Sequence, residues 1–181
     1  MPKYFEKIPG ERLFLSPRNP DDAETYAKWL NDPAMTVLAG GYTQIHSSDA
    51  ARKHLEDDAT RSNAHWYSIV LREGERLIGN INLGKINPES RNAELGIFIG
   101  EQADRGCGYG TEAVRLMLGY GFHTLNLHNI KLEVFADNAQ GIACYEKVGF
   151  REFGRRREAE FHGGRYFDVV CMDILSSEFR P

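Results

Sequence analysis

The sequence predicts an α+β fold, with one mixed, mostly antiparallel sheet flanked by helices, and three observations carry that prediction. Three strand-like runs follow one another across short turns (residues 66–71, 77–83 and 93–99), the pattern of an antiparallel meander. A glycine-rich segment, Arg105 to Gly110, then changes the period from two to that of a helix, and a further strand follows at 130–135, which is a parallel crossover. The chain has 181 residues with 41% hydrophobic content and no linker or repeat, so residues 1–181 read as a single domain with one sizeable core.

Taken in order, Arg12 to Leu15 is a short first strand. Asn19-Pro20-Asp21-Asp22 opens a helix, with a capping amide, a proline whose missing N–H costs nothing there, and acids in the first turn. Ala23, Tyr26, Ala27 and Leu30 share one face of it, and Pro33 stops it. Residues 34–46 read as a loop, and Ser47 or Ser48 caps a second helix to about residue 60.

Three strands follow. Glu73-Gly74 turns the first into the second, where Leu77, Gly79, Ile81 and Leu83 are expected on one face. After the Asn87-Pro88-Glu89-Ser90 turn, Ala93, Leu95, Ile97 and Ile99 alternate with Glu94, Gly96 and Phe98. The helix after the glycine loop runs to about Leu125, with Val114, Met117, Leu118, Gly121, Phe122 and Leu125 as its buried stripe. Asn138 to Val148 is a helix ended by Gly149, and two strands around Gly163-Gly164 close the chain.

Composition excludes several functions. A net charge of -4 argues against a nucleic-acid binder, whose affinity for phosphate needs a basic face. Arg155-Arg156-Arg157 is the one basic cluster and reads as a solvated strand end. No stretch has the length of a membrane-spanning helix, and Met1 to Glu6 does not read as a signal peptide. Cys107, Cys144 and Cys171 are odd in number and widely spaced, which implies neither a disulfide framework nor zinc, and reducing cytoplasm is the expected compartment. No histidine has ligand-like spacing to them, so no metal is expected.

A strand, glycine loop and helix together make an anion cradle, because a helix N-terminus leaves backbone N–H groups unpaired and carries partial positive charge. Arg105 can add a bidentate contact to a pyrophosphate, whereas the plain alternative is a tight turn using glycine for positive φ. A phosphate-binding loop of the nucleotide type needs Lys-Ser or Lys-Thr after its last glycine, and Gly110 is followed by Thr111-Glu112. A dinucleotide fold places its loop early, and this one lies beyond the midpoint. Coenzyme A is left as the better pyrophosphate ligand.

Arg105-x-x-Gly108-x-Gly110 resembles the coenzyme-A-binding signature of the GNAT acetyltransferases, and Gly108-Tyr109-Gly110-Thr111-Glu112-Ala113 resembles its Rim-type and spermidine-type branch. The block from Asn138 to Phe150, ending Tyr145-Glu146-Lys147-Val148-Gly149-Phe150, is similar to a second family segment at a fitting distance. The resemblance covers nearly the whole chain and implies a GNAT-like sheet splayed at its middle. It implies an acetyl-CoA-dependent N-acetyltransferase acting by direct attack in a ternary complex. Acetyl-CoA is then the co-substrate, contacted by Ile97, Phe98, Ile99, Arg105, Gly106, Cys107, Gly108, Tyr109, Gly110, Thr111, Asn138 and Tyr145.

Two departures stand out. Gly141 replaces a serine or alanine, and Cys107 replaces a basic or polar residue, with no histidine placed by sequence to make it a nucleophile.

By the same resemblance Tyr145 is the acid at the thioester sulfur, since a phenol with a pKa of about 10 is protonated at neutral pH. Its plain alternative is a core tyrosine beside Ile142. Glu94 is the candidate base, through water, or a group that only binds the ammonium; its alternative is a salt-bridged strand residue. Backbone around Ile97, Phe98 and Ile99 is expected at a bulge that splays the sheet and meets the pantetheine arm. Asn138 is equally an ordinary helix cap.

The acceptor is expected between residues 31–46 and the Gly163-Gly164 hairpin, with Tyr42, His46, Trp66 and Tyr67 as candidate lining. It is a small-molecule amine or a peptide α-amine. A polyamine is disfavoured because Pro33 to Ser48 holds no carboxylate. A coenzyme-A-binding module without catalysis and a nucleotide-binding domain are the competing classes, and exposed sheet edges make a homodimer an expectation.

Overall fold

The computed structural model describes residues 2–35, 46–58 and 62–180. Eight strands form one sheet in the order β1-β2-β3-β4-β5-β6-β8-β7. They are β1 (Ile8–Pro9), β2 (Leu13–Pro17), β3 (His65–Leu71), β4 (Arg76–Asn87), β5 (Asn92–Ile99), β6 (Asn129–Phe135), β7 (Arg151–His162) and β8 (Arg165–Leu175). The helices are α1 (Ala23–Leu30), α2 (Ser48–Asp58), α3 (Tyr109–Gly119) and α4 (Ala139–Val148).

The predicted caps hold. Asn19 accepts a hydrogen bond from the Asp21 N–H and starts a 3-10 turn, Pro20–Asp22, that leads into α1. Ser47 Oγ accepts from the Ala50 N–H and caps α2, which ends at Asp58. Asn138 Oδ1 accepts from the Gly141 N–H, and Gly149 ends α4 at φ 110°. On α1, Trp29 is buried beside Ala23, Tyr26 and Ala27, whereas Leu30 is only partly so. The helix after the glycine loop finishes in a π turn, Tyr120–Thr124, and the segment Ile8–Pro9 adds a strand too short to read from periodicity.

Each face of the sheet has its own core. Leu13, Leu15, Ile69, Ile81, Leu83, Ala93 and Leu95 pack under α3 and α4, with Val114, Met117, Leu118 and Val148. Tyr26, Trp29, Leu55, Phe14, Val70 and Leu77 pack on the opposite face, under α1 and α2. Leu77 therefore does not share a face with Ile81 and Leu83, as strict alternation predicted. Ile69 pairs Gly79 while Val70 pairs Leu77, so Ile78 is an extra residue, and this bulge flips the side chains beyond it.

All neighbouring strands are antiparallel except β5 and β6, which run parallel. That pair is joined only at Asn92–Asn129, Ala93–Ile130 and Glu94–Lys131. Beyond Glu94, β5 keeps its β4 partner as far as Ile99 while β6 pairs with β8, so the sheet splays as the resemblance implied. The expected bulge at Ile97–Ile99 is not the cause. Register with β4 is unbroken from Gly84–Glu94 to Gly79–Ile99, and the shift in this pair lies between Gly84 and Asn87.

Arg155–Arg157 lies on the edge strand β7, exposed, with Arg156 Nη1 2.7 Å from Glu133. Among the described residues, no helix is long and apolar enough to cross a membrane.

Candidate active site

The glycine loop is built at the open end of β5. Gly100 follows that strand with the Trp29 ring against it; an added Cβ would lie 2.1 Å from the ring, so only glycine fits there. A 3-10 turn, Gln102–Asp104, comes next, and buried Asp104 accepts two 2.7 Å hydrogen bonds from Arg76 at the start of β4. Gly106 and Gly108 take φ of 76° and 82°, conformations that glycine adopts without a Cβ penalty. Helix α3 begins at Tyr109, and no side chain caps it. Its first N–H groups are thus open to a ligand, whereas in α4 the Gly141 N–H is taken by Asn138. An uncapped, dipole-positive helix end with glycines before it fits the pyrophosphate of coenzyme A.

The Arg105 guanidinium is engaged with the loop itself. Its Nε donates to the Ile99 carbonyl at 3.0 Å, Nη2 to that of Gly100 at 2.8 Å, and Nη1 to Gln102 Oε1 at 2.9 Å. The guanidinium satisfies carbonyls that the end of β5 leaves without a strand partner, and so it holds the loop rather than reaching past it. The outer side is held by Arg12, which donates to the Cys107 carbonyl at 2.9 Å and to Glu112 at 2.8 Å, and stacks 4.9 Å from the Tyr109 ring. Arg12, Arg76, Asp104 and Gly100 carried no local signal in the sequence, because their partners lie far along the chain.

The two sequence blocks meet here. Thr111 Oγ1 lies 3.3 Å from Cys144 Sγ, and a Cβ on Gly106 would lie 3.3 Å from Gln140 Nε2. Cys107 is exposed, and its thiol contacts only the Ala103 and Arg105 carbonyls among the described residues, with no histidine beside it.

Tyr145 packs partly buried on the face that Ile97, Ile99 and Ile142 also cover, with its ring edge-on to Phe150 at 5.9 Å. No described residue hydrogen-bonds its hydroxyl. Burial, and to a smaller degree Cys144, pushes the phenol above its ordinary value of 10.0. It is a proton-bearing donor throughout the neutral range.

Glu94 lies on the other face, with Gly96 and Phe98. Partial burial pulls its carboxyl upward, but Lys85 Nζ at 2.9 Å and Lys131 Nζ at 3.4 Å outweigh that and hold it below the usual carboxylate value. A carboxylate so stabilised is a weaker base than an ordinary one. Both lysines meet Oε2, which leaves Oε1 without a described partner. Glu94 forms a wall of a cavity of about 350 Å³ with Asn63, Ala64, Trp66, Asn82, Gly84, Lys85, Leu95 and Gly96.

Of the other expected lining residues, Trp66 is in that cavity. Tyr67 is one residue along β3 and points the other way, buried in the main core, where its ring meets Tyr120 at 5.8 Å. His46 exchanges backbone hydrogen bonds with the Asn31 side chain and does not line the cavity. The Gly163-Gly164 hairpin does not either, because it joins β7 to β8, on the far side of the splay. Tyr42 lies outside the described residues. Among the described residues, no group of three or more His, Cys, Asp and Glu side chains could hold a metal.

A sheet splayed beside an uncapped glycine-loop helix, with a phenol that has no hydrogen-bond partner among the described residues on one face and a polar cavity on the other, fits an acyl-coenzyme-A-dependent transferase. Residues 12–151 match the acetyltransferase (GNAT) domain, and the chain belongs to that family. It is similar to a spermidine N(1)-acetyltransferase of Vibrio cholerae, 37% identical over 128 residues, 70% of each chain. It also resembles an uncharacterized N-acetyltransferase, p20, of Bacillus licheniformis, 28% identical over 97% of this chain and 99% of that one. Among solved structures, the Vibrio cholerae spermidine N-acetyltransferase in complex with CoA and spermine superposes with a TM-score of 0.83. It is 28% identical, over 92% of this chain and 97% of that chain. The protein is an acetyl-CoA-dependent N-acetyltransferase of the branch that holds the spermidine enzymes.

Proposed function

We propose that the chain transfers acetyl directly from acetyl-CoA to a primary amine in a ternary complex, with the two substrates approaching the splay from opposite faces of the sheet. The observation that carries this is the placement of Tyr145 and the Glu94 cavity on opposite faces of β5, where β5 parts from β6. The residues named for acetyl-CoA divide their work. Gly106, Cys107, Gly108, Tyr109, Gly110 and Thr111 offer backbone N–H groups to the pyrophosphate, and Arg105 fixes the loop. Backbone from Ile97 to Ile99, on the edge of β5 that no longer pairs with β6, receives the pantetheine arm and polarises the thioester carbonyl. Asn138 acts through the helix that it caps, and that helix carries Tyr145.

The nitrogen lone pair attacks the carbonyl carbon, a C–N bond forms and the C–S bond breaks. The sulfur leaves as a thiolate, and the nitrogen's proton passes to water. A phenol raised by burial above 10.0 is a weak acid that keeps its proton, so Tyr145 stabilises the thiolate by donating a hydrogen bond rather than by surrendering its proton. Glu94 Oε1 accepts from the incoming amine and orients it.

The acceptor is the amine of a small molecule or of a peptide N-terminus, and the reaction belongs in the cytoplasm. The spermidine relatives favour a second reading, in which the acceptor is a polyamine. A thiol-release screen with acetyl-CoA against peptide N-termini, polyamines, amino acids and aminoglycosides tests both. Amine-dependent release is expected. Tight acetyl-CoA binding with no release for any amine would reduce the protein to a binding module.

A further inference from the structure

Among the described residues, the Glu94 cavity offers no carboxylate in excess of its ammonium groups, as a polycation would need. Its single carboxylate is shared by two ammonium groups, Lys85 from β4 and Lys131 from β6, both on Oε2. Asn63, Asn82 and Trp66 supply the other polar side chains of the cavity, and the indole N–H of Trp66 is buried with no acceptor among the described residues. Among the described residues the walls carry one carboxylate and one ammonium, and Lys131, behind Glu94 and outside the wall, adds a second ammonium against the same carboxylate.

Lys85 is there through a backbone device rather than by simple alternation. It lies one residue past Gly84, within the register shift between Gly84 and Asn87, and has φ 50°. As a regular strand residue it would share the face of Leu83. The left-handed turn at the bulge carries it to the face of Glu94 instead. Non-glycine residues adopt such backbone only where the surroundings enforce it, and bulges of this kind re-aim side chains at sites.

We infer that the acceptor carries an anionic group close to its reactive amine, with Lys85 binding that group while Glu94 Oε1 receives the amine. This rests on the reading of the cavity as the acceptor site. It deepens that reading by naming the substrate class: an amine bearing a carboxylate or comparable anion, not a polyamine. Like charges repel, so a second ammonium placed beside Lys85 and Lys131 weakens binding, and a carboxylate there strengthens it.

The test uses three primary amines of similar length that differ at the far end: γ-aminobutyrate, butylamine and putrescine. For each, kcat/KM with saturating acetyl-CoA and Kd for the coenzyme-A-bound protein are measured. γ-Aminobutyrate is expected to exceed putrescine by about tenfold, or about 1.4 kcal/mol, with butylamine between them. The preference should shrink as salt is raised, because Lys85 is exposed. Lys85→Gln should level the series and Lys85→Glu reverse it. A wild-type preference for putrescine, equal values, or no binding of γ-aminobutyrate overturns the inference. If Lys85→Glu moves the ratios while the wild type favours putrescine, the cavity is the acceptor site and only the charge class is wrong. If Lys85→Glu leaves all three amines unchanged in an active enzyme, the placement of the acceptor itself fails.

Discussion

The hydroxyl of Thr111 and the thiol of Cys144 lie 3.3 Å apart, joining the first turn of α3 to α4 one residue before Tyr145. The helix proposed to receive the pyrophosphate and the helix that carries the phenol are thereby set at one spacing. Burial raises the Cys144 thiol, which keeps it protonated and a partner rather than a nucleophile. Thr111→Val preserves shape and removes the contact. It should lower stability by about 1 kcal/mol, read as a fall in Tm, and an unchanged melting curve would show that the contact contributes nothing.

Arg105 allows a sharper distinction between holding a loop and binding a phosphate. The carbonyls of Ile99 and Gly100 are received by two arms of one planar guanidinium, a geometry that an ammonium does not reproduce. Arg105→Ala and Arg105→Lys should therefore weaken acetyl-CoA binding alike, by about tenfold each, the scale of one charge-assisted hydrogen bond. Titration calorimetry checks this. Recovery of affinity in the lysine variant would assign Arg105 to the pyrophosphate directly.

Glu94 predicts a negative result in pH. Its carboxyl is held below the ordinary value, so it is already ionised at every pH where an amine acceptor begins to lose its proton. Glu94→Gln should raise KM for the amine severalfold and leave the pH of the rate's limbs where they were. The sign for stability follows from the same direction. The depressed pKa contributes stability above the unfolded value and loses it as pH falls through the folded one. Glu94→Gln should thus cost stability at neutral pH and converge with the wild type in acid. A displaced acid limb near neutrality would restore Glu94 as the base.

Much of this arrangement was legible because local signals and the fold agree. Asn19, Ser47 and Asn138 cap the helices their positions implied, and the alternation from Ala93 to Ile99 survives intact in β5. The glycine loop was legible as an anion cradle because its chemistry is local: positive-φ glycines followed at once by a helix start. What the sequence concealed was register and distant pairing. The Ile78 bulge and the turn of Lys85 onto Glu94 depend on how neighbouring strands are registered, and the pairing of Arg76 with Asp104 joins segments far apart in the chain. The sequence singled out Arg105 and Glu94 as candidates, but their partners shape what each can do. A guanidinium next to bare carbonyls binds carbonyls, and a carboxylate between two lysines is a weak base.

Tyr145 bears the central claim. Its hydroxyl has no hydrogen-bond partner among the described residues, and its phenol stays protonated well past neutrality, so replacing it by phenylalanine removes one donor and little packing. The direct measurement is the single-turnover rate of thiol release from acetyl-CoA by Tyr145→Phe at saturating amine, alongside the Kd for acetyl-CoA. A donor aimed at charge developing on sulfur contributes about a hundredfold or more, so the rate should fall by that order while Kd changes by less than about twofold. An unchanged rate would contradict the account, and so would a loss confined to acetyl-CoA affinity.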